Sequence, residues 1–148
     1  MQRRNLIGLT LAGAASGILM PKAVLGDPEA DTSGKSADPM AGGVFYTEEA
    51  PGRWKGKEKG HLPIIRVEKK PGKASVQVTT GHEMKGHEHY IIKHILLDEN
   101  YRFLDEKMFD PSKDKVPISI FSVDKYRGPI YALSVCNKHD TWLSAGKV

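Results

Sequence analysis

One cysteine and one histidine, three positions apart in Cys136-Asn137-Lys138-His139, put a thiol and an imidazole within reach of a common partner. The other five histidines, His61, His82, His87, His89 and His94, lie upstream. A lone cysteine cannot close an internal disulfide, so this thiol is an inert core group, a reactive nucleophile or a metal ligand. Cysteine and histidine at this spacing can grip one metal ion, the thiolate as a soft ligand and the imidazole as a borderline one.

Three metals compete for such a set. A blue-copper site wants an axial methionine downstream on the same loop, and no methionine follows His139. Zinc prefers four ligands, one fewer than four imidazoles and a thiolate. Five ligands with an open sixth position fit redox-active iron better. Taken singly, each histidine reads as structural or solvated, and His94, in mid-strand, is the clearest case. The cluster differs because its members fall in loops.

The elements that must position these residues are β-strands. Short runs of apolar alternation occupy 64–67, 74–79, 90–97, 101–109, 118–123 and 130–135. They are separated by turn residues such as Pro71-Gly72, Asp98-Glu99-Asn100, Asp110-Pro111-Ser112 and Arg127-Gly128-Pro129. No helical periodicity is sustained there. Six or seven strands predict an all-β, seven-stranded antiparallel immunoglobulin-like β-sandwich. His61 then precedes the first strand, His82, His87 and His89 lie between the second and third, and His139 follows the last core strand. Loops at one end of a sandwich converge in space and can assemble a metal site.

The ends narrow the function further. Residues 1–26 combine Arg3-Arg4, a short apolar stretch from Leu9 to Met20 and small residues before Gly26. This is the pattern of an export signal of the twin-arginine kind, which predicts a periplasmic protein. Residues 27–43, rich in Asp, Ser, Pro and Gly, are expected to be a flexible leader, and 44–148 the folded domain. Of the 22 basic residues, Arg3, Arg4 and Lys22 leave with the signal, so 19 face 18 acidic ones in the mature chain. That near balance gives no argument for nucleic-acid binding. No second apolar run is long enough to cross a bilayer, so no membrane association is expected after signal cleavage.

The residues in fact resemble those of the one-iron superoxide reductases, or neelaredoxins, and the iron-binding domain of desulfoferrodoxin. The family's ending, Cys-Asn-x-His-Gly-x-Trp, stands here as Cys136-Asn137-Lys138-His139-Asp140-Thr141-Trp142. Its His-Pro-Met followed by Glu-His-Tyr-Ile stands as His82-Glu83-Met84 and Glu88-His89-Tyr90-Ile91, and its Glu-Lys-His-x-Pro as Glu58-Lys59-Gly60-His61-Leu62-Pro63. The resemblance runs from Trp54 to the C-terminus. It implies a mononuclear non-haem iron held by His61, His82, His89 and His139 with Cys136 as the axial thiolate. It also implies superoxide as substrate, an unidentified electron donor and a homo-oligomer, the reaction being one-electron reduction of superoxide to hydrogen peroxide. An axial thiolate donates electron density towards the open position, as cysteine does in haem enzymes. Glu58 and Lys59 would be the catalytic pair, and Lys55, Lys57, Lys59, Lys85 and Lys138 could steer the anion.

Two departures bear on these roles. Gly60 separates Lys59 from His61, where the family has lysine directly before histidine, which leaves Glu58 and Lys59 in question. His82 and His89 are seven positions apart rather than six, which makes His87 a rival to His89, although Glu88-His89-Tyr90-Ile91 matches intact. Asp140 replaces the family's glycine, either as a turn residue or as an acceptor that orients an imidazole. The rival functions are a non-catalytic iron-binding or electron-transfer protein, and an immunoglobulin-like thiol carrier or interaction module using Cys136.

Overall fold

The computed structural model describes residues 38–148. The expected export signal, 1–26, and most of the expected leader lie outside them. Seven strands form two antiparallel sheets: β1 (Pro63–Lys70), β2 (Lys73–Thr80), β3 (Ile91–Leu97), β4 (Phe103–Met108), β5 (Ile118–Ser122), β6 (Pro129–Cys136) and β7 (Asp140–Lys147). One sheet has the order β1-β2-β5, the other β4-β3-β6-β7. Together they make the predicted all-β sandwich.

The inward faces follow from period-two patterning. In β2, Ala74, Val76, Val78 and Thr80 are buried and alternate with partly exposed residues, and in β6 Ile130, Ala132, Ser134 and Cys136 do the same. Val76, Val78, Leu96, Phe121, Ile130 and Ala132 pack into the main core. Burying each of the larger aliphatic side chains there contributes about 1.5–3 kcal/mol. Strand β4 lies at a sheet edge and carries Asp105, Glu106 and Lys107, charges that discourage pairing with another chain.

Strand β7 is the element that sequence patterning missed. Asp140-Thr141-Trp142-Leu143-Ser144-Ala145-Gly146-Lys147 has little alternation, yet it pairs with β6 over eight positions, from Cys136↔Asp140 to Pro129↔Lys147. It needs no strong pattern because the adjacent β6 fixes it through a tight hairpin. His139 therefore lies inside the β6–β7 turn rather than beyond the last strand.

His94 is fully buried between the sheets. Its Nε2 lies 2.9 Å from Thr80 Oγ1 on β2 and its Nδ1 2.8 Å from Ser119 Oγ on β5, while Thr80 Oγ1 also donates to Ser134 Oγ at 2.9 Å. Four polar side chains thus satisfy one another across the core, as burial requires.

Antiparallel topology brings β1's start, β2's end, β3's start and the β6–β7 turn to one end of the sandwich. A strap leads to this end from the N-terminal side. Tyr46 forms a parallel bridge with Trp142 at the edge of β7. It is followed by a 3-10 turn, Gly52–Trp54, and by the single helical turn α1 (Glu58–His61).

Candidate metal centre

Five side chains from four segments meet at this end: His61 closing α1, His82 and His89 from the β2–β3 connection, Cys136 ending β6 and His139 in the β6–β7 turn. One ligand atom from each lies within 4.8 Å of all the others. Three contacts run in series: His82 Nε2 to His89 Nε2 at 3.1 Å, His89 Nε2 to His139 Nδ1 at 3.0 Å, and His139 Nδ1 to His61 Nε2 at 2.9 Å. Cys136 Sγ lies 3.9 Å from His82 Nε2 and 3.8 Å from His139 Nδ1.

This set fits a cation better than it fits itself. Nitrogens bonded at right angles to one metal at about 2.1 Å stand about 3.0 Å apart, which matches all three spacings. Hydrogen bonding alone leaves the set frustrated. His61 Nδ1 lies 2.8 Å from the Lys57 carbonyl and donates to it, so His61 Nε2 presents a bare lone pair to the cluster. His139 Nδ1 faces two nitrogens and can donate to only one. His82 Nδ1 is buried against the backbone of Glu83 without a hydrogen bond of good geometry.

The electrostatics keep the imidazoles neutral, the form that binds metal. Burial, as the largest cause, lowers the pKa of all four, and that of His61 to about 4. Neighbouring imidazoles add to the effect for His61, His82 and His89. Lys57 and Lys138 lower His139, while Lys138 and Lys85 act on His89.

Cys136 is 4% exposed and packs with Ile91, Phe109 and Met84. It is not the exposed, mobile thiol that a covalent carrier needs. The Lys138 backbone N–H donates to its sulfur at 3.4 Å. Trp142 is fully buried and its Nε1–H donates to the His139 carbonyl at 2.8 Å, holding the turn from behind. Trp54 meets the His139 ring edge-on at 4.7 Å.

The structure places His89 in the cluster and leaves His87 exposed, in ring contact with Tyr90. The Gly81–Tyr90 connection turns at Gly86, with φ of +53°, and closes through Lys85 N–H to the His89 carbonyl at 2.9 Å. That turn absorbs the extra residue between His82 and His89.

Glu58 Oε1 accepts from the Gly56 N–H at 2.9 Å, the main cause of its lowered pKa. Lys59 is exposed. No hydrogen bond or ion pair among the described residues joins either one to the five-residue cluster. For Lys59, Gly60 is part of the reason. On the α1 turn, Lys57 is four residues before His61 and shares its face, whereas Lys59 is two before it and does not.

Asn137 was legible only as a letter of the terminal motif, and the structure gives it a task. Its Oδ1 accepts from the Tyr90 N–H at 3.0 Å, and its Nδ2 donates to the carbonyls of His87 and Glu88 at 3.2 Å each. One amide thus clamps the segment that carries His89 to the hairpin that carries Cys136. Replacing it with alanine frees that segment. Asn137→Ala should weaken metal binding about 10- to 100-fold, the usual cost of losing a group that orients a ligand. Titration of the purified variant with ferrous iron against a competing chelator measures this directly.

The family model described as Desulfoferrodoxin matches residues 53–145. Superoxide reductase of Pyrococcus abyssi is 31% identical over 104 residues, covering 62% of this chain and 87% of that protein. Among solved structures, a variant of the superoxide reductase (neelaredoxin) of Ignicoccus hospitalis is 26% identical with a TM-score of 0.59. It covers 72% of this chain and 94% of its own. The reduced form of the Archaeoglobus fulgidus superoxide reductase (neelaredoxin) shares the fold, with a TM-score of 0.55 at 22% identity, covering 71% of this chain and 98% of its own.

Proposed function

The chain belongs to the desulfoferrodoxin family, and on that premise we propose that it is an exported superoxide reductase with one non-haem iron per chain. The observation that carries the reading is the convergence of Cys136 with four neutral imidazoles at one end of the sandwich. His61, His82, His89 and His139 would hold the iron through nitrogen and Cys136 through sulfur. When bound, iron supplies the single electron that, with two protons, converts superoxide to hydrogen peroxide. A separate donor of one electron must restore it.

The protein's own residues do the rest. The Lys138 N–H stabilises negative charge on the Cys136 sulfur, and Ile91, Phe109 and Met84 keep water from it. Lys57 and Lys138 put positive potential beside the imidazoles that draws a small anion, whereas the charge of Lys85 is paired with Glu83 at 2.8 Å. Lys59, exposed and two residues from His61, adds to this potential at the outer part of the approach, and Glu58, held by the Gly56 N–H, stands beside it. The leading Arg3-Arg4 and the apolar stretch behind them carry the protein to the periplasm, where an iron protein folded in the cytoplasm would need the twin-arginine route.

The test is metal analysis followed by stopped-flow reaction of the reduced protein with superoxide. One iron per chain and a second-order reaction that slows as ionic strength rises are expected. Lys57→Ala and Lys138→Ala should each lower the rate several-fold, more than Lys59→Ala. A protein that binds iron but leaves superoxide decay at its uncatalysed rate would instead be a passive iron or electron-transfer protein. Mass spectrometry of the periplasmic fraction tests export, the expected mature chain beginning at Asp27.

A further inference from the structure

Asp140 opens β7 directly after the turn that carries His139, and its backbone φ is +57°. A three-residue hairpin loop closed by a left-handed residue ordinarily puts glycine there. Aspartate tolerates this conformation better than most residues, at some cost in strain. Its side chain shows what offsets the cost. Oδ2 accepts from Trp54 Nε1–H at 2.8 Å and from the Arg53 guanidinium, both more than eighty positions upstream. These two bonds, Arg53's first, hold the Asp140 carboxyl below the usual carboxylate range.

The contacts continue to the metal ligands. The Arg53 guanidinium lies 5.1 Å from the centre of the Trp54 ring, and Trp54 stands perpendicular to the His139 imidazole at 4.7 Å. At the strap's other end Gly52 is seated so closely that a β-carbon would lie 2.2 Å from the Gly42 carbonyl oxygen. The 3-10 turn is therefore fixed at both ends, by Gly42 on one side and Asp140 on the other.

We propose that Asp140 is a positioning residue, a latch that holds Trp54 against His139 and so fixes the plane of that imidazole and shields it from water. Its effect on the metal rests on the iron reading above, while the latch itself is read from protein contacts alone. Asp140 and Arg53 are well exposed, with side-chain exposures of 39% and 65%, and an ion pair of that kind adds little to overall stability. The role is orientation rather than fold stability.

The experiment compares Asp140→Gly, Asp140→Asn and wild type by two readouts. Acrylamide quenching of Trp54 fluorescence, assigned with Trp54→Phe, reports the latch in metal-free protein. Iron release to a chelator and the midpoint potential report its consequence in loaded protein. Asp140→Gly fits the left-handed backbone and should fold with an unchanged Tm. Its Trp54 should be quenched several-fold more readily, its iron should leave about ten times faster, and its potential should shift. Asp140→Asn keeps an oxygen acceptor for the indole N–H and should stay close to wild type in all three. Unaltered quenching and iron release in Asp140→Gly would overturn the proposal, as would an asparagine variant as impaired as the glycine one. If the wild-type protein takes up no iron, the iron reading fails, and quenching alone then decides the latch.

Discussion

Cys136→Ser should yield a folded protein that has lost its thiolate-to-iron absorption band and reduces superoxide at least 100-fold more slowly. The physical reason is the pocket around the sulfur. Cys136 is nearly inaccessible, with Ile91, Phe109 and Met84 around it. A serine hydroxyl there reaches less far, is a hard donor rather than a soft one, and does not ionise in apolar surroundings. It would leave four imidazoles without the ligand that donates electron density. The fold should survive because the change removes little volume from a site at the end of the sandwich. Visible spectra before and after oxidation, iron content and stopped-flow kinetics on one preparation check each part. An unchanged absorption band in the variant would mean that the sulfur is no ligand.

The second large effect is on stability, and it comes from the histidine outside the cluster. His94→Ala should destabilise the metal-free protein by about 5 kcal/mol or more. The cavity left by a large buried side chain contributes about 3 kcal/mol or more, and stranding buried hydroxyls about 1–3 kcal/mol each. The hydroxyls at risk are those of Thr80 and Ser119, on two strands of the opposite sheet. Urea denaturation at pH 7.5 measures the loss as a fall in midpoint. A change below about 1 kcal/mol would show that water replaces the ring's hydrogen bonds.

The same residue sets an acid limit. Burial lowers the His94 pKa to about 4, from an ordinary value near 6.5. The unfolded chain therefore takes up this proton first as pH falls. Stability present above about pH 6.5 is lost as pH drops towards 4, at about 1.4 kcal/mol for each unit of depression. His61, lowered to about 4 in the same way, adds to the loss in metal-free protein. His94→Ala should accordingly show a shallower fall in stability between pH 6.5 and 4 than wild type, readable from the same denaturation curves.

Much of this was determined by sequence alone, for a physical reason. Period-two burial is a local property, so β2 and β6 were visible as alternating runs, and the two-sheet architecture followed from their number and short turns. The five clustered residues were legible because they lie at strand ends and carry distinctive chemistry in a recognisable order. Mid-strand His94 was legible as structural for the complementary reason.

Other features are decided by pairing across the chain, which no local pattern records. Strand β7 exists because β6 templates it. His89 rather than His87 reaches the cluster because a left-handed Gly86 takes up one extra residue, and Asn137 clamps that segment from the other sheet partner. Gly60 turns Lys59 away from the face that carries His61, a consequence visible only once α1 forms a helical turn. Asp140, one letter away from the family's glycine, acquires its meaning from Arg53 and Trp54, which only the folded chain brings alongside it.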